Sequence, residues 1–529
     1  MRNRMILWVL VALAFLTLLI HAAGFVRFTV DDAYITFTYS KNLANGQGLV
    51  FSQGNRVEAT SSMLWAVLLA PFEGFLNQGA VIGSKILGVL CALSTLLVSG
   101  FLLKVLLQSR YVINPAYLLF AFLLAGGSPF IVWATYGMEN GLVALLLILA
   151  TLCFMRDVQR GSALSALPVF LLQTVRPEGF IYVAVFAAMR LILYALPDNR
   201  RDSKSCVRWF VILGVCIGVY EAAGFAYYGH WLPNTVRAKV GGVSIARLWS
   251  GLQYLKQGSA SLYSGLLLLT LELVAFRLLW PFPQTLRQIS RLITEEAGVL
   301  LVSSLLVVHW LFTIFVGGDW MINARFLSHA IPLLLVLFVV SLWQTVDILL
   351  PAPRSPQLKA AMTLFCLNVF VAYSIMNARF DFSSYAWQTK LQQAEERALT
   401  GMVDLVNNRY TGTNVVLACS DVGRVGYLFK GGVLDWWGLA DEEIARLGQA
   451  CGRLDPDVVL RRKPDFLVLY SNEPVLSEDS MKEGMAMYSR KFWRNGRFLS
   501  EYKQVASLYF WNKRWHVLFQ RNSIQGTDG

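Results

Sequence analysis

Val30-Asp31-Asp32-Ala33-Tyr34 places two adjacent carboxylates directly after an apolar stretch and before an amphipathic one that runs to Leu43. A carboxylate at a water boundary can take a proton from a hydroxyl. The same segment adds Glu58, and the connections between later apolar stretches add Glu139 in Tyr136-Gly137-Met138-Glu139-Asn140, Glu178 in Arg176-Pro177-Glu178-Gly179 and Asp319 in Gly317-Gly318-Asp319-Trp320. They also carry Arg176, Arg237, Lys239 and Arg325. Guanidinium makes planar, two-point contacts to phosphate and stays charged. Carboxylates and cations gathered at one interface suit transfer of a group from a lipid phosphate to an alcohol, with Asp31 or Asp32 as base and the cations on the departing phosphate. Glu58, Glu139, Glu178, Asn234, Asp319 and Trp320 then support or bind substrate. Two plainer readings remain open. An Asp at a helix start caps it and complements its dipole for about 0.5–1 kcal/mol, and Arg176 and Arg325 can simply pair with Glu178 and Asp319.

The elements that must hold these residues are membrane helices. A chain of 529 residues that is 56% hydrophobic and 15% charged is too apolar for an ordinary soluble domain. Stretches near the roughly 17–25 residues needed to cross the hydrocarbon fall at 5–26, 80–103, 115–135, 141–155, 163–175, 179–196, 207–228, 261–280, 297–317, 326–350 and 359–376. The expected architecture is a polytopic α-helical membrane protein with about 11 spans, residues 1–376, followed by an extracytoplasmic α/β domain, residues 377–529. The first stretch has the basic start and apolar core of a signal peptide, but the polytopic chain behind it makes an uncleaved first helix the expectation.

Lys and Arg near the span ends set orientation. Arg2, Arg4, Lys104, Arg110, Arg156, Arg160, Arg200, Arg201, Lys204, Arg208, Arg277, Arg287, Arg291, Arg354 and Lys359 fall on one side, read as cytoplasmic, which puts the segment 27–79 and the C-terminal domain outside. Much of the net charge of +13 lies in these flanks, which meet anionic lipid headgroups, so no nucleic-acid partner is needed. Arg176, Arg237, Lys239 and Arg325 sit on the opposite side, where an anionic ligand would hold them.

In the C-terminal domain, strands are expected at Asn414–Ala418 and Pro464–Tyr470. Gly423 and Gly426 lack the spacing of a dinucleotide fingerprint. Asp421 and Asp435, at strand ends, are either turn residues or contacts to an acceptor, and the flat faces of Trp436 and Trp437 could stack on sugars. Cys419 and Cys451 could pair in an oxidising compartment, and no Cys/His spacing suggests structural zinc.

These motifs, taken in order, resemble the GT-C class of bacterial membrane glycosyltransferases, and within it the group similar to the terminal arabinofuranosyltransferase of mycobacterial envelopes and the arabinosyltransferase of type IV pilins. The resemblance rests on Asp31-Asp32-Ala33-Tyr34-Ile35-Thr36, Asn45-Gly46-Gln47-Gly48, Arg56-Val57-Glu58, Tyr136-Gly137-Met138-Glu139, Arg176-Pro177-Glu178-Gly179, Leu232-Pro233-Asn234-Thr235 and Gly317-Gly318-Asp319-Trp320 with Arg325. It extends through Asp421-Val422-Gly423 and Asp435 to Asp441. It implies a polyprenyl-phosphate sugar donor, inverting transfer on the periplasmic face of the inner membrane, and a glycan, lipid or protein acceptor such as pilin. The family's base, an Asp of the first external loop, maps to Asp31 or Asp32. The chain departs from the pattern at Thr38, where an Arg is common, and at Ala59-Thr60, where Gly-Tyr is common.

Arabinofuranose is the sugar the resemblance implies; mannosyl or other hexosyl transfer keeps the fold. No cofactor is required by the motifs, although Asp31, Asp32 and Asp319 could hold a divalent cation. A lipid-linked sugar transporter is the rival from another class, but it should carry inverted repeats and mid-bilayer charge, and the spans hold few charges, Glu221 and Glu272 being exceptions.

Overall fold

The computed structural model describes residues 2–52, 56–196, 203–235, 244–279, 285–321, 323–349, 387, 389–410, 415–447, 454–511 and 513–523. The expected span 359–376 lies outside them, as do Arg237, Lys239 and Cys451. Seven helices among the described residues are long and apolar enough to cross a membrane, or eight if a bent pair is counted as one. This is a multi-pass membrane protein. Its chain divides into two compact units. One holds Met1–Arg27, Ser84–Tyr220 and Val243–Phe382; the other holds Phe28–Gly83, Glu221–Gly242 and Ser383–Gly529.

The first unit is helical. Asn140–Arg160 and Ile331–Leu349 are buried over most of their length, whereas Arg2–Phe25 leaves most of its apolar surface uncovered. Helices apolar all round, covered in one case and bare in the other, are the interior and lipid-facing members of a bundle. The expected continuous span 115–135 is instead two helices, Pro115–Gly126 and Ser128–Thr135, meeting at 60°. Pro129 lies at the start of the second, where it removes a backbone donor and disfavours a helical conformation before it. Lys85, buried, donates to the Thr135 carbonyl at 2.7 Å and so closes the C-terminal end of that second helix. Arg176-Pro177-Glu178 likewise separates the short helix Ala166–Val175 from Gly179–Ala195.

In the second unit a five-stranded mixed sheet has the order β2-β1-β3-β5-β4, with β1 Val416–Cys419, β2 Gly432–Asp435, β3 Phe466–Ser471, β4 Tyr502–Trp511 and β5 Arg514–Arg521. β1 runs parallel to β2 and β3, and β5 runs antiparallel to β3 and β4. Parallel strands need crossover connections, and the helix Val422–Leu428 supplies the one from β1 to β2. β3 is buried throughout, which explains its unbroken apolar run. One core of this unit joins Ile35, Tyr39, Phe51 and Met63 to Leu399, Val403, Leu417, Phe466 and Leu518.

The helix Asp31–Ala44 is bolted down by its polar residues. Ser40 donates to the Ala66 carbonyl at 2.9 Å, Thr36 and Thr60 share a hydrogen bond at 2.9 Å, and the Tyr39 hydroxyl accepts from Ala59 N at 2.8 Å. Asn42 donates to the carbonyls of Val50 and Phe51 and closes the Asn45–Gly48 turn. Gly46 and Gly48 have φ of 75° and 85°, the left-handed region that favours glycine.

Candidate active site

In the second unit, Asp31 opens its helix and reaches another. Its Oδ1 accepts from Arg424 N at 2.8 Å and its Oδ2 from Gly423 N at 3.1 Å, the first turn of the helix Val422–Leu428. Burial and the neighbouring Asp421 carboxylate push the Asp31 carboxyl up to about 7, against the pull of the Arg424 N–H. Glu395 is pushed up to about 8, by burial first and then by Asp31 and Asp421. The Arg424 guanidinium lies 4.8 Å from the centre of the Tyr34 ring and 3.7 Å from Glu396. Asp31, Asp32, Asp421, Glu395 and Arg424 thus interact in one acid-rich neighbourhood.

Asp421 is held from the other side. Its Oδ1 accepts from the Tyr470 hydroxyl at 2.7 Å and its Oδ2 lies 2.9 Å from His516 Nε2. Asp435 accepts from Trp437 N and Ala440 N at 2.8 and 2.7 Å, which closes a turn, and burial raises its carboxyl to about 6 despite those bonds. Trp436 is fully buried, in T-shaped contact with the rings of Tyr470 and Phe492. It is a core residue, and its faces are not open to a sugar. Trp437 is partly buried against Tyr488.

Asn234 is a clip. Its backbone N–H donates to the Glu58 carbonyl at 2.9 Å, and its side-chain amide donates to the carbonyls of Gly438, Leu439 and Asp441 at 3.0, 2.8 and 3.3 Å. Burial and the Glu221 charge push the Glu58 carboxyl up to about 7.

In the first unit, Arg176 is buried between two carboxylates, with Nη1 donating to Glu139 at 2.7 Å and Nε to Glu178. Burial alone would raise Glu178, but the Arg176 charge overrides it and holds the carboxyl below its ordinary range. Arg325 pairs with Asp319 and lies 5.1 Å from the centre of the Phe326 ring. Asn140 donates to the Arg325 carbonyl and to Ser328 Oγ at 3.1 and 2.9 Å. Gly317, Gly318, Asn323 and Ala324 all have positive φ, a strained connection of the kind that persists where surrounding contacts over-determine it. Trp320 is exposed on it.

Beside this cluster the Tyr182 hydroxyl meets His309 Nδ1 at 2.8 Å and His329 Nε2 at 3.0 Å, while His309 Nε2 meets the Phe326 carbonyl at 2.7 Å. The carbonyl requires the proton of His309 on Nε2, so Tyr182 donates to His309 and accepts from His329. Both known pairs, Arg176 with Glu178 and Arg325 with Asp319, match the plainer pairing that the sequence left open.

Over 360 residues the chain is 28% identical to the terminal beta-(1->2)-arabinofuranosyltransferase of Corynebacterium glutamicum, covering 60% of this chain and 48% of that protein. Over 231 residues it is 29% identical to the Mycobacterium tuberculosis protein of the same name, covering 40% of this chain and 35% of the other. It spans less than half the length of the curated relatives it matches. Residues 385–523 match a family described as a domain of unknown function, DUF8728. Among solved structures, ArnT from Cupriavidus metallidurans bound to undecaprenyl phosphate superposes with a TM-score of 0.51 at 13% identity, covering 97% of this chain and 98% of that one. The fold is that of the GT-C membrane glycosyltransferases.

Within this GT-C fold the sequence could not find Tyr470, His516 or Glu395 as neighbours of the Asp-Asp motif, because the contacts join strands and helices far apart in the chain. A histidine in the apolar run Trp515-His516-Val517-Leu518-Phe519 was the available signal, since a buried polar group needs a partner. Among the described residues no three His, Cys, Asp or Glu side chains converge as a metal ion would require. Cys419 is a buried thiol.

Proposed function

We propose that this chain is an inverting glycosyltransferase that moves a sugar, D-arabinofuranose, from a polyprenyl-phosphate donor to a hydroxyl of an envelope glycan or surface protein on the outer side of the inner membrane. The observation that carries this reading is the Asp31 carboxylate, fixed by two backbone N–H groups and poised near neutrality. A base whose proton affinity matches the working pH transfers protons best. Asp31 takes the proton of the acceptor hydroxyl as that oxygen bonds to the anomeric carbon; the bond from that carbon to the phosphate oxygen breaks, and polyprenyl phosphate leaves. Attack opposite the departing phosphate inverts the centre.

The names of the two relatives support the sugar, and the undecaprenyl phosphate bound to ArnT supports the carrier class. Arg176 and Arg325 carry carboxylate partners; together with Arg237 and Lys239 they remain the cations proposed for the donor phosphate. Asp32, adjacent to the base, is the competing candidate for its role.

The test is turnover by the purified protein in lipid nanodiscs, with polyprenyl-phosphoryl arabinofuranose compared against mannose and glucose analogues and an envelope fraction as acceptor. Released polyprenyl phosphate is read by mass spectrometry. Turnover of the arabinofuranose donor, lost by about 10²-fold or more in Asp31→Asn and less in Asp32→Asn, is expected. Unchanged turnover in Asp31→Asn would remove it as the base.

A further inference from the structure

Asp421 occupies the N-cap position of the helix Val422–Leu428 yet makes no side-chain bond to that helix. Aspartate is among the residues that best close their own helix start, so its absence from that task needs a cause. The cause is on the sheet. Tyr470 and His516 are paired across the antiparallel strands β3 and β5, their ring centres are 5.1 Å apart, and both turn their polar atoms to the Asp421 carboxylate. Ser420 donates to the Tyr470 oxygen at 2.7 Å, which leaves the single proton of Tyr470 for Asp421. The His516 ring is buried and its Nδ1 has no partner among the described residues. A carboxylate acceptor requires the proton on Nε2, so the hydrogen bonding of His516 is spent on Asp421.

The helix start that Asp421 vacates is closed by Asp31, 392 residues earlier in the chain than Gly423. Two carboxylates cannot both occupy the first-turn N–H groups of one short helix without strong mutual repulsion. We propose that Tyr470 and His516 are positioning residues: by holding Asp421 away from its own helix they leave that helix start to Asp31 and so fix the base in place. The proposal rests on the reading of Asp31 as base, and it gives the matched segment 385–523 a part in setting the geometry of the reaction. Asp421 is then a tethered competitor rather than a contact to the acceptor.

The experiment is a melting cycle that needs no activity. Asp31→Asn is introduced into the wild type, into His516→Ala and into His516→Ala/Asp421→Ala, and thermal unfolding of the second unit is followed in each. In the wild type, loss of the Asp31 bonds lowers Tm by about 2–4 °C. In His516→Ala, where the Tyr470 hydroxyl alone still holds Asp421, the same change costs less than half of that; with Asp421 also removed, the full cost returns. Equal costs in all three backgrounds overturn the proposal.

Donor turnover supplies the second arm. It falls at least tenfold in His516→Ala, recovers at least half of the loss in His516→Ala/Asp421→Ala, and is kept in His516→Gln, whose amide still donates to Asp421. A double variant as impaired as His516→Ala overturns the proposal and favours a direct role for Asp421 with the acceptor. If the wild type turns over no donor, the reading of Asp31 as base fails, while the melting cycle still decides whether His516 places it.

Discussion

Gly423 approaches Asp31 so closely that a Cβ at position 423 would lie 2.0 Å from the Asp31 carbonyl oxygen and 2.5 Å from its Oδ2. The obstacle is backbone, which cannot rotate aside. Gly426, one turn on, would place a Cβ 2.4 Å from the tip of the Phe51 ring, which can. Gly423→Ala is therefore expected to lower stability by about 1–3 kcal/mol and to cut turnover at least tenfold, because the carboxylate moves with its backbone. Gly426→Ala should cost stability with a smaller loss of turnover. Chemical unfolding and donor turnover, measured side by side, check the pair; a fully active Gly423→Ala would remove the close approach from the mechanism.

The Asp31 carboxyl, raised from 3.8 to about 7 in the fold, ties stability and activity to pH with opposite signs. A raised carboxyl binds its proton more tightly folded than unfolded, so its contribution to stability is complete below about pH 4 and is lost as pH rises through about 7. A base must be deprotonated, so kcat/KM should rise across the upper part of that same window. Glu58 and Glu395, raised to about 7 and about 8, share the first trend and not the second. The measurement is the difference between wild type and Asp31→Asn, in melting temperature and in kcat/KM, from pH 5 to pH 9. The stability advantage of wild type over the variant should fall as pH rises, while the activity of wild type climbs; a wild-type kcat/KM flat from pH 6 to pH 8 would contradict the assignment.

Arg176, Glu139 and Glu178 form a buried cluster in which one cation serves two carboxylates. Arg176→Ala strands both acids, and breaking a buried pair this way costs about 3–5 kcal/mol. Arg176→Met with Glu139→Gln and Glu178→Gln removes the charges together and should recover most of that stability. Turnover should not return with it if the three charges themselves serve the reaction. Recovery of both would reduce the three residues to a replaceable structural element.

Asn234 gives one amide to three carbonyls. Asn234→Ala takes this donor from the Gly438 and Leu439 carbonyls, while the Asp441 carbonyl keeps Ala445 N, and is expected to destabilise the second unit by about 1–3 kcal/mol. Asn234→Asp should be worse, since it sets a carboxylate oxygen against carbonyl oxygens. Limited proteolysis around 438–441, which the clip secures, reads the effect; unaltered cleavage in both variants would sink it.

Membrane helices were legible in the sequence because length and apolarity alone define them, and Pro129 explains the bend where a straight span was expected. The ion pairs of Arg176 with Glu178 and of Arg325 with Asp319 were legible because their partners are close in sequence. Glu139 was not placed in that cluster, because it arrives from another connection. Some motif residues have architectural work that the sequence shows only in part: Asn45–Gly48 is the expected turn and uses positive φ, Gly423 is a close approach, and Asn234 is a clip. Trp436 illustrates the opposite difficulty, since residue type does not reveal whether an indole faces a ligand or a core. Asp31 was visible as a carboxylate at a helix start, but the helix start it serves is one that no local pattern could name.

The core that joins Ile35, Tyr39 and Phe51 to Leu417, Phe466 and Leu518 also dictates an order of manufacture. The early contributors leave the ribosome long before the late ones, and membrane helices must insert in between. During that interval the Asp31–Ala44 helix has neither its apolar cover nor the N–H groups that receive Asp31, so the nascent chain exposes an aggregation-prone face. A stop codon or proteolytic cut ahead of β5 would therefore strike at the loop nearest the first membrane helix, through the half-built core left behind.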